Sequence, residues 1–153
     1  MKNNHLLVVG SVALDSIITP GAEANDVVGG SAVYFSVAAS FFTKVKLVGV
    51  VGEDFPKSHI KKLEKCGIDL KGLACVPGKT FRWKGRYSRN MNVRETLLLE
   101  LNVFEKFHPV LPEEYRNTPY VFLGNIHPAL QLDVLAQMKS PRLTACDTID
   151  CWI

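Results

Sequence analysis

The sequence predicts an α/β fold, with a central parallel sheet into which a small β-sheet is inserted. Short apolar runs typical of buried strands alternate with helical segments along the first part of the chain. A middle segment changes to a strict two-residue alternation, and the strand–helix order then resumes. The 153 residues are 47% hydrophobic and 22% charged, which suits one globular domain.

The chain begins with two short extended runs and a buried helix. Residues 5–10 form an apolar run that ends in glycine, and residues 14–19 form a second run, interrupted by Pro20 and Gly21. From Ser31 onwards the residues are small and apolar nearly all round, which predicts a well-buried helix.

A second strand–helix pair follows. The β-branched run 45–51 predicts a strand inside a sheet. Asp54 or a neighbour is placed to cap the next helix, Pro56 suits its first turn and Gly67 is placed to end it. This repeated order of strand and helix is typical of a parallel sheet.

The middle of the chain is predicted to form an antiparallel hairpin. Over residues 81–88 aromatic and basic side chains alternate, so that the strand has one aromatic and one basic face. Leucines alternate again over residues 97–101, and residues 88–92 between the runs are typical of a turn. Residues 73–76 are a candidate for a further strand of this small sheet. The aromatic face has to cover a core, a ligand or a partner.

The last segment returns to the α/β order. We expect a short helix near residues 113–116, a strand at 120–124, a helix after it and a final strand at 143–146. A core strand so near the last residue, without a covering helix, leads us to expect a truncated domain. The helix before that strand is predicted to pack through Leu132, Leu135 and Met138.

Composition disfavours several classes of protein. No apolar run approaches the ~20 residues needed to span a bilayer, and the first residues lack the features of a signal peptide, so a cytoplasmic protein without membrane contact is expected. The four cysteines form no CxxC pair and the four histidines form no HExxH, so we expect no metal site and no disulfide framework.

The net charge of +3 is mild, but basic residues cluster in the middle segment. Two interpretations are open: the cluster binds an anion, a nucleotide or RNA, or it is the solvated face of a strand, which we favour. The basic residues of this cluster are Lys79, Arg82, Lys84, Arg86, Arg89 and Arg94.

Two local features are candidates for a binding site. Gly29 and Gly30 precede a helix that begins at Ser31, and glycines allow a ligand to approach the backbone and the first helical N–H groups. Asp15 follows the first predicted strand, and open α/β sheets bind ligands beyond the carboxyl ends of their strands. A carboxylate there can accept hydrogen bonds from sugar hydroxyls. A tight turn without ligand and a solvated loop aspartate remain the alternatives.

Two strings imitate catalytic motifs. The segment 77–80 reads Pro-Gly-Lys-Thr, but a P-loop needs a glycine where Leu73 stands, and residues from Phe81 onwards alternate as a strand rather than a helix. The second string begins at Asp147 and Thr148, and it too matches only the start of a catalytic motif.

Together, these residues resemble the ribokinase-like, or PfkB, family of sugar and nucleoside kinases. The resemblance rests on the first strand with Asp15, on Val28-Gly-Gly-Ser-Ala-Val-Tyr, and on Val-Gly-Glu-Asp-Phe-Pro at residues 51–56. Residues 66–70, Cys-Gly-Ile-Asp-Leu, resemble the family's link into its lid, and the hairpin falls where the family has a β-lid. The resemblance covers nearly the whole chain.

The resemblance implies a three-layer fold and a phosphotransferase reaction. Residues 1–153 would be the N-terminal part of a single ribokinase-like domain, with β-lid segments at about 14–28 and 72–102, and the C-terminal ATP-binding part would be absent. The full-length parent would transfer the γ-phosphoryl group of ATP, with Mg²⁺, to a hydroxyl of a sugar or nucleoside. This chain alone would bind neither ATP nor Mg²⁺ and would be inactive.

By the same resemblance, one set of residues would hold the substrate. Tyr34 stands where the family commonly has asparagine, so the substrate need not be ribose. The family's catalytic signature, Asp-Thr-x-Gly-Ala-Gly-Asp, is absent, because residues 147–149 are followed by Asp150, Cys151 and Trp152. No catalytic residue and no metal ligand is therefore assigned. The predicted substrate-binding residues are Asp15, Gly29, Gly30, Ser31, Tyr34, Phe81, Trp83 and Asn125.

Three hypotheses follow for function. The first is the substrate-binding half of a PfkB-type kinase. The second is a non-catalytic module that binds a sugar or nucleoside. The third, which we do not favour, is nucleic-acid binding through the basic strand. The apolar lid face also suggests a homodimer that forms through the lid, because a two-stranded hairpin is rarely stable alone.

Overall fold

The computed structural model describes residues 4–149, whose strands form one sheet of five strands and one of four. Asp150, Cys151 and Trp152, at which the sequence departs from the family's catalytic signature, lie outside the described residues. In chain order the elements are β1 (His5–Val9), β2 (Ala13–Ile18), β3 (Glu23–Gly29), α1 (Ser31–Ser40), β4 (Lys44–Gly52), α2 (Lys57–Lys65), β5 (Asp69–Val76), β6 (Phe81–Tyr87), β7 (Arg94–Glu100), β8 (Tyr120–Leu123), α3 (Pro128–Gln137) and β9 (Leu143–Cys146), with 3₁₀ helices at Asn102–Lys106 and Glu113–Tyr115.

The larger sheet is parallel throughout and confirms the predicted α/β class. Its strand order is β5-β4-β1-β8-β9, and each neighbouring pair runs in the same direction. The expectation that residues 73–76 extend the small sheet is wrong. They belong to β5, which pairs with β4 in the larger sheet after the crossover through α2.

Side chains from the two faces of the larger sheet enter two separate clusters. One cluster joins Leu7, Val9 and Val121 to Val134 of α3, and the other joins Val8 and Leu47 to α1 and α2. Helices therefore cover both faces, which gives three layers. Alternate residues of a strand point to opposite faces, so strands buried on both sides are apolar at nearly every position.

Two expectations about the helices fail. The buried face of α3 is centred on Val134, which is fully buried, with Leu135 and Met138 packed against the same cluster. Leu132 lies off that face and is 67% exposed. Asp54 does not cap α2, since its carboxylate is occupied by Thr80 and Arg82 of another segment. No helix within residues 4–149 is long and apolar enough to cross a membrane.

The smaller sheet has the order β3-β2-β6-β7. The predicted hairpin is present as β6 and β7, with the Ser88 N–H donating to the Val93 carbonyl across the turn at 2.9 Å. β2 pairs antiparallel with β3 but parallel with β6, so two hairpins far apart in sequence share one sheet. Because only three residues separate the end of β1 from the start of β2, the smaller sheet starts at the carboxyl end of the larger one.

Candidate functional site

Asp15 lies in the smaller sheet, as the third residue of β2. The sequence placed it beyond the first strand, within the second extended run, and the structure confirms that run as β2, where Asp15 pairs with Val27 of β3 and Trp83 of β6. Its carboxylate rests directly on Gly29. A Cβ atom at Gly29 would lie 1.9 Å from the Asp15 Oδ2 atom, so a side chain at position 29 would displace the carboxylate.

The surroundings of Asp15 disfavour its charge. Burial raises the pKa of Asp15 to about 6, against an opposing contribution from the backbone N–H of Gly30, which hydrogen-bonds to the carboxylate. The carboxylate is therefore ionised at neutral pH but poorly solvated. Such a group gains more than a surface aspartate from hydroxyl donors that a ligand brings.

Tyr34 interacts electrostatically with Asp15 and with Tyr87. Burial raises the pKa of Tyr34, and the charges of Asp15 and Tyr87 raise it further. Tyr34 is nevertheless 56% exposed, and its ring is accessible from solvent. Tyr87 was not among the predicted site residues. The two-residue alternation of β6 places Tyr87 on the face of Trp83, which was the signal that could have found it.

Trp83 lies flat along its own strand. A Cβ atom at Gly85 would come within 2.1 Å of the indole, so the ring covers that glycine. The indole N–H donates to the Thr96 hydroxyl at 3.3 Å, and the Arg94 guanidinium lies 5.6 Å from the ring centroid. The Trp83 ring is thereby fixed against Gly85 and β7, while the Trp83 backbone pairs with Asp15. Phe81 is not part of this group, because its ring stacks on Phe104 with centroids 5.3 Å apart.

The turn into α1 is tightly constrained. Gly30 has φ +96°, and a Cβ atom there would lie 2.3 Å from the Ser11 carbonyl oxygen. Ser11 occupies the start of the helix: its hydroxyl accepts the Ser31 N–H at 3.0 Å and its carbonyl accepts the Ala32 N–H at 3.1 Å. The expectation that these N–H groups are open to a ligand is therefore wrong. No motif marks Ser11, whose role arises only where the chain crosses from β1 to β2.

Ser31 and Asn125 lie at the carboxyl edge of the larger sheet. The Ser31 hydroxyl is 3.2 Å from the Ser11 hydroxyl and is enclosed by Gly10 and Gly124. Cβ atoms at those glycines would lie 2.9 and 2.7 Å from the Ser31 Oγ atom. Asn125 directly follows Gly124, so Ser31 and Asn125 share the edge from which β2 departs.

The basic side chains of β6 are paired with acidic side chains. Arg82, Lys84 and Arg86 each contact a carboxylate. The carboxylates belong to the smaller sheet or to the loop after β4. The partners are Asp26 and Asp54 for Arg82, Glu23 for Lys84, and Glu95 for Arg86.

The described chain offers no other recognisable centre. Within residues 4–149 no group of three or more His, Cys, Asp or Glu side chains is placed to hold a metal ion. The Pro-Gly-Lys-Thr string at residues 77–80 is not a P-loop, because a strand follows it and Thr80 is fully buried. Cys66, Cys75 and Cys146 are free thiols.

Comparison with known proteins shows one family of relatives by sequence and by structure, although no family model matches the chain. The cytidine kinase of Thermococcus kodakarensis is 31% identical over 141 residues, which are 91% of this chain and 50% of that protein. The chain thus spans about half the length of the curated relative that it matches.

Solved structures agree with this likeness. The nucleoside kinase of Methanocaldococcus jannaschii, an archaeal member of the ribokinase family, superposes with a TM-score of 0.72 at 18% identity, over 94% of this chain and 52% of that one. The chain has a ribokinase-like fold. The Burkholderia thailandensis nucleoside kinase in complex with inosine gives 0.74 at 16% identity, over 93% and 52%. Ribokinase of Thermotoga maritima gives 0.69 at 18%, over 93% and 52%.

The resemblance read from the sequence is therefore confirmed, and it is consistent with the N-terminal portion of a ribokinase-like protein. In this ribokinase-like chain, Asp15 of the smaller sheet contacts Gly29, pairs with Trp83 and interacts with Gly30 and Tyr34 at the start of α1. Chemically, that group offers a hydrogen-bond acceptor, one phenol hydroxyl and aromatic surface. It is suited to hold a polar molecule that carries hydroxyls.

Proposed function

We propose that the chain supplies the acceptor-binding half of a kinase that transfers the γ-phosphoryl group of ATP to a hydroxyl of a nucleoside or sugar. The observation that carries this proposal is the poorly solvated carboxylate of Asp15, seated on Gly29 and facing Tyr34. The 31% identity to a protein named cytidine kinase supports it. So does the shared fold with nucleoside kinases and ribokinases.

A nucleoside is the acceptor that we favour. The ionised Asp15 can accept hydrogen bonds from two neighbouring ribose hydroxyls, since a carboxylate has two oxygens. Free ribose would use only that part of the site. The exposed ring of Tyr34, which interacts electrostatically with Asp15, adds flat apolar surface against which a base can stack.

The residues of this chain bind and orient the acceptor. The smaller sheet acts as a lid, which would exclude water from the transferring phosphoryl group. ATP and Mg²⁺ supply the phosphoryl group and its charge compensation in the full-length parent. The start of α1 does not fit a phosphate, because Ser11 occupies its first two N–H groups, so no residue here is assigned to ATP, to Mg²⁺ or to proton transfer.

Calorimetry on the 153-residue chain tests the proposal. We expect saturable heat with cytidine, weaker heat with ribose, and no ADP formation when ATP and Mg²⁺ are added. Absence of heat with every nucleoside and sugar tried, from a chain that circular dichroism shows to be folded, would contradict acceptor binding. ATP turnover by the pure chain would contradict its assignment as the acceptor half alone.

Two copies of the chain are proposed to pair through β7. This strand pairs with β6 alone among the described strands, and its leucines are exposed on both faces. An antiparallel pair of β7 strands centred on Leu97 places Arg94 of one copy opposite Glu100 of the other, so the strand is complementary to itself. The exposed fractions are 37% for Leu97, 42% for Leu98, 58% for Leu99 and 39% for Leu101.

Light scattering tests the pairing of copies. We expect a dimer for the unmodified chain and a monomer for Leu97→Lys, because two lysines would meet at the twofold axis. Val110→Lys is the matched control, since Val110 is 71% exposed but lies outside the smaller sheet. A monomeric unmodified chain at micromolar concentration would rule the dimer out.

A further inference from the structure

The two sheets of the chain are joined by a cluster of polar side chains at the carboxyl end of β4. There the loop after β4 contacts the segment before β6 closely. A Cβ atom at Gly52 would lie 2.2 Å from the Gly78 carbonyl oxygen, and the Glu53 N–H donates to that oxygen at 3.0 Å. The backbone of the lid strand is thus in direct contact with the larger sheet.

Thr80 anchors the start of β6 to this loop. Its hydroxyl accepts the Gly52 N–H at 3.0 Å and donates to the Asp54 Oδ1 atom at 2.7 Å. The Thr80 N–H donates to the same Asp54 oxygen at 2.7 Å. Thr80 is fully buried, so its hydroxyl and N–H depend on these protein partners for their hydrogen bonds.

Arg82 extends the contact to the other hairpin. One Nη atom donates to the Asp54 Oδ2 atom at 3.0 Å, and the other donates to the Asp26 carboxylate of β3. The Arg82 side chain is only 25% exposed, and that of Asp54 only 29%. Both are therefore partly removed from solvent, where a charge-assisted hydrogen bond is stronger than at an open surface. Asp26, Asp54, Thr80 and Arg82 are called the inter-sheet clamp below.

The protonation behaviour of the clamp agrees with its geometry. Burial acts to raise the pKa of Asp54, but hydrogen bonds from Thr80 and Arg82 outweigh it and hold that pKa below its ordinary value. The Asp26 backbone is also distinctive. It has φ +51° and lies at a register shift of β3, where its carbonyl is 3.4 Å from the His59 Nε2 atom of α2.

The clamp does not touch the candidate site but fixes the strands that form it. Arg82 precedes Trp83 and points to the opposite face of β6. Trp83 pairs with Asp15 on one side of β2, and Val27 of β3 pairs with Asp15 on the other. By holding both β3 and β6, Arg82 fixes both neighbours of the strand that carries Asp15.

We propose that Arg82 is a positioning residue, which sets the affinity for the acceptor by holding the smaller sheet in one orientation over the larger sheet. Its effect on affinity rests on the proposed function, whereas its effect on the sheet does not. Removal of Arg82 frees β3 and β6 to move relative to β4. The groups around Asp15 then lose the fixed geometry that binding requires.

Hydrogen exchange and calorimetry on matched variants test this proposal. Arg82→Gln is compared with Arg86→Gln, which removes a cation from the same face of β6. Among residues 4–149 the ion-pair partner of Arg86 is Glu95 of the adjacent β7. For Arg82→Gln we expect amide exchange in β3 and β6 to rise about tenfold, with exchange in β1 and β4 unchanged. Cytidine affinity should fall about tenfold. For Arg86→Gln neither quantity should change.

A conservative variant separates positioning from charge. Arg82→Lys keeps the cation but cannot donate to Asp54 and Asp26 in the planar geometry of a guanidinium, so it should show most of the Arg82→Gln effect. Arg82→Gln combined with Asp54→Asn should be little worse than Arg82→Gln alone, because the first change already removes the contact with Asp54 and asparagine keeps an oxygen that can accept from Thr80.

Each other outcome counts against the proposal. Exchange that rises equally in both sheets would show a merely stabilising role, and a mobile smaller sheet with unchanged affinity would overturn the positioning role. An unmodified chain that binds neither cytidine nor ribose would contradict the proposed function. In that case the exchange contrast alone would still decide whether Arg82 holds the smaller sheet.

Discussion

Replacement of Asp15 by asparagine should weaken acceptor binding by roughly 100-fold and, at neutral pH, make the chain more stable. Charge-assisted hydrogen bonds contribute about 1.5–3 kcal/mol each, and asparagine keeps the shape while losing the charge and one acceptor oxygen. The gain in stability comes from the folded state of the unmodified chain, in which the charge of Asp15 is unfavourable. The folded state holds the carboxylate in a place that disfavours its charge, and asparagine removes that penalty.

The stability effect has a defined pH dependence. The pKa of Asp15 is about 6 in the folded chain against an ordinary value of 3.8, so between these values the folded state keeps a proton that the unfolded state releases. The free energy of unfolding therefore falls as pH rises from 3.8 through 6, and the loss is complete above that range. The full shift corresponds to roughly 3 kcal/mol, and partial solvent contact of the carboxyl reduces our expectation to about 1 kcal/mol.

Thermal unfolding at several pH values measures this effect. The Tm of Asp15→Asn should match that of the unmodified chain near pH 4 and exceed it by about 3 °C at pH 7. Asp133→Asn, an exposed position on α3, is the control and should show no such divergence. A Tm difference independent of pH, or an unchanged affinity for cytidine, would refute the role given to Asp15.

The second large effect concerns the pair of glycines before α1. Gly30→Ala should lower the free energy of unfolding by roughly 3 kcal/mol, which corresponds to a Tm about 10 °C lower. Alanine is strained at φ +96°, and its Cβ atom would lie 2.3 Å from the Ser11 carbonyl oxygen, a backbone atom that cannot rotate away. Denaturant unfolding followed by circular dichroism gives the measurement.

Gly29→Ala should behave differently, because the atom in its way belongs to a side chain. The Asp15 carboxyl can rotate off position 29, so the chain should fold but lose acceptor binding and the pH-dependent stability of Asp15. Gly21→Ala, where a Cβ atom would meet nothing within 4 Å, is the matched control for both glycines. Equal Tm values for the Gly30 and Gly21 variants would disprove the strain argument.

The features that the sequence predicted correctly are those with a local cause. The apolar run 45–51 and the aromatic–basic alternation of 81–88 identify β4 and β6, because burial on two faces and on one face leave different patterns. Gly67 ends α2 at φ +73°, as its position predicted. These depend on residues close together in the chain.

The features that sequence reasoning missed depend on distant contacts. Ser11 meets Ser31 only because β3 runs back along β2 and brings Gly29 beside Ala13, and Asp54 meets Thr80 only because β6 starts beside the end of β4. No local pattern distinguishes an aspartate that caps its own helix from one that binds another strand. The sheet to which residues 73–76 belong was likewise decided by a crossover connection and not by their own composition.

The parallel pairing of β2 with β6 has a consequence for the order in which the chain assembles. Ala13 lies beside Phe81, so a nascent chain that has emerged only as far as β5 contains Asp15 and β3 but lacks β6, the second strand that flanks Asp15. Contacts of such long sequence separation form slowly, after the loop between them has been closed by other structure. The candidate site is consequently incomplete until β6 has paired with β2, and until then one edge of β2 has no partner strand.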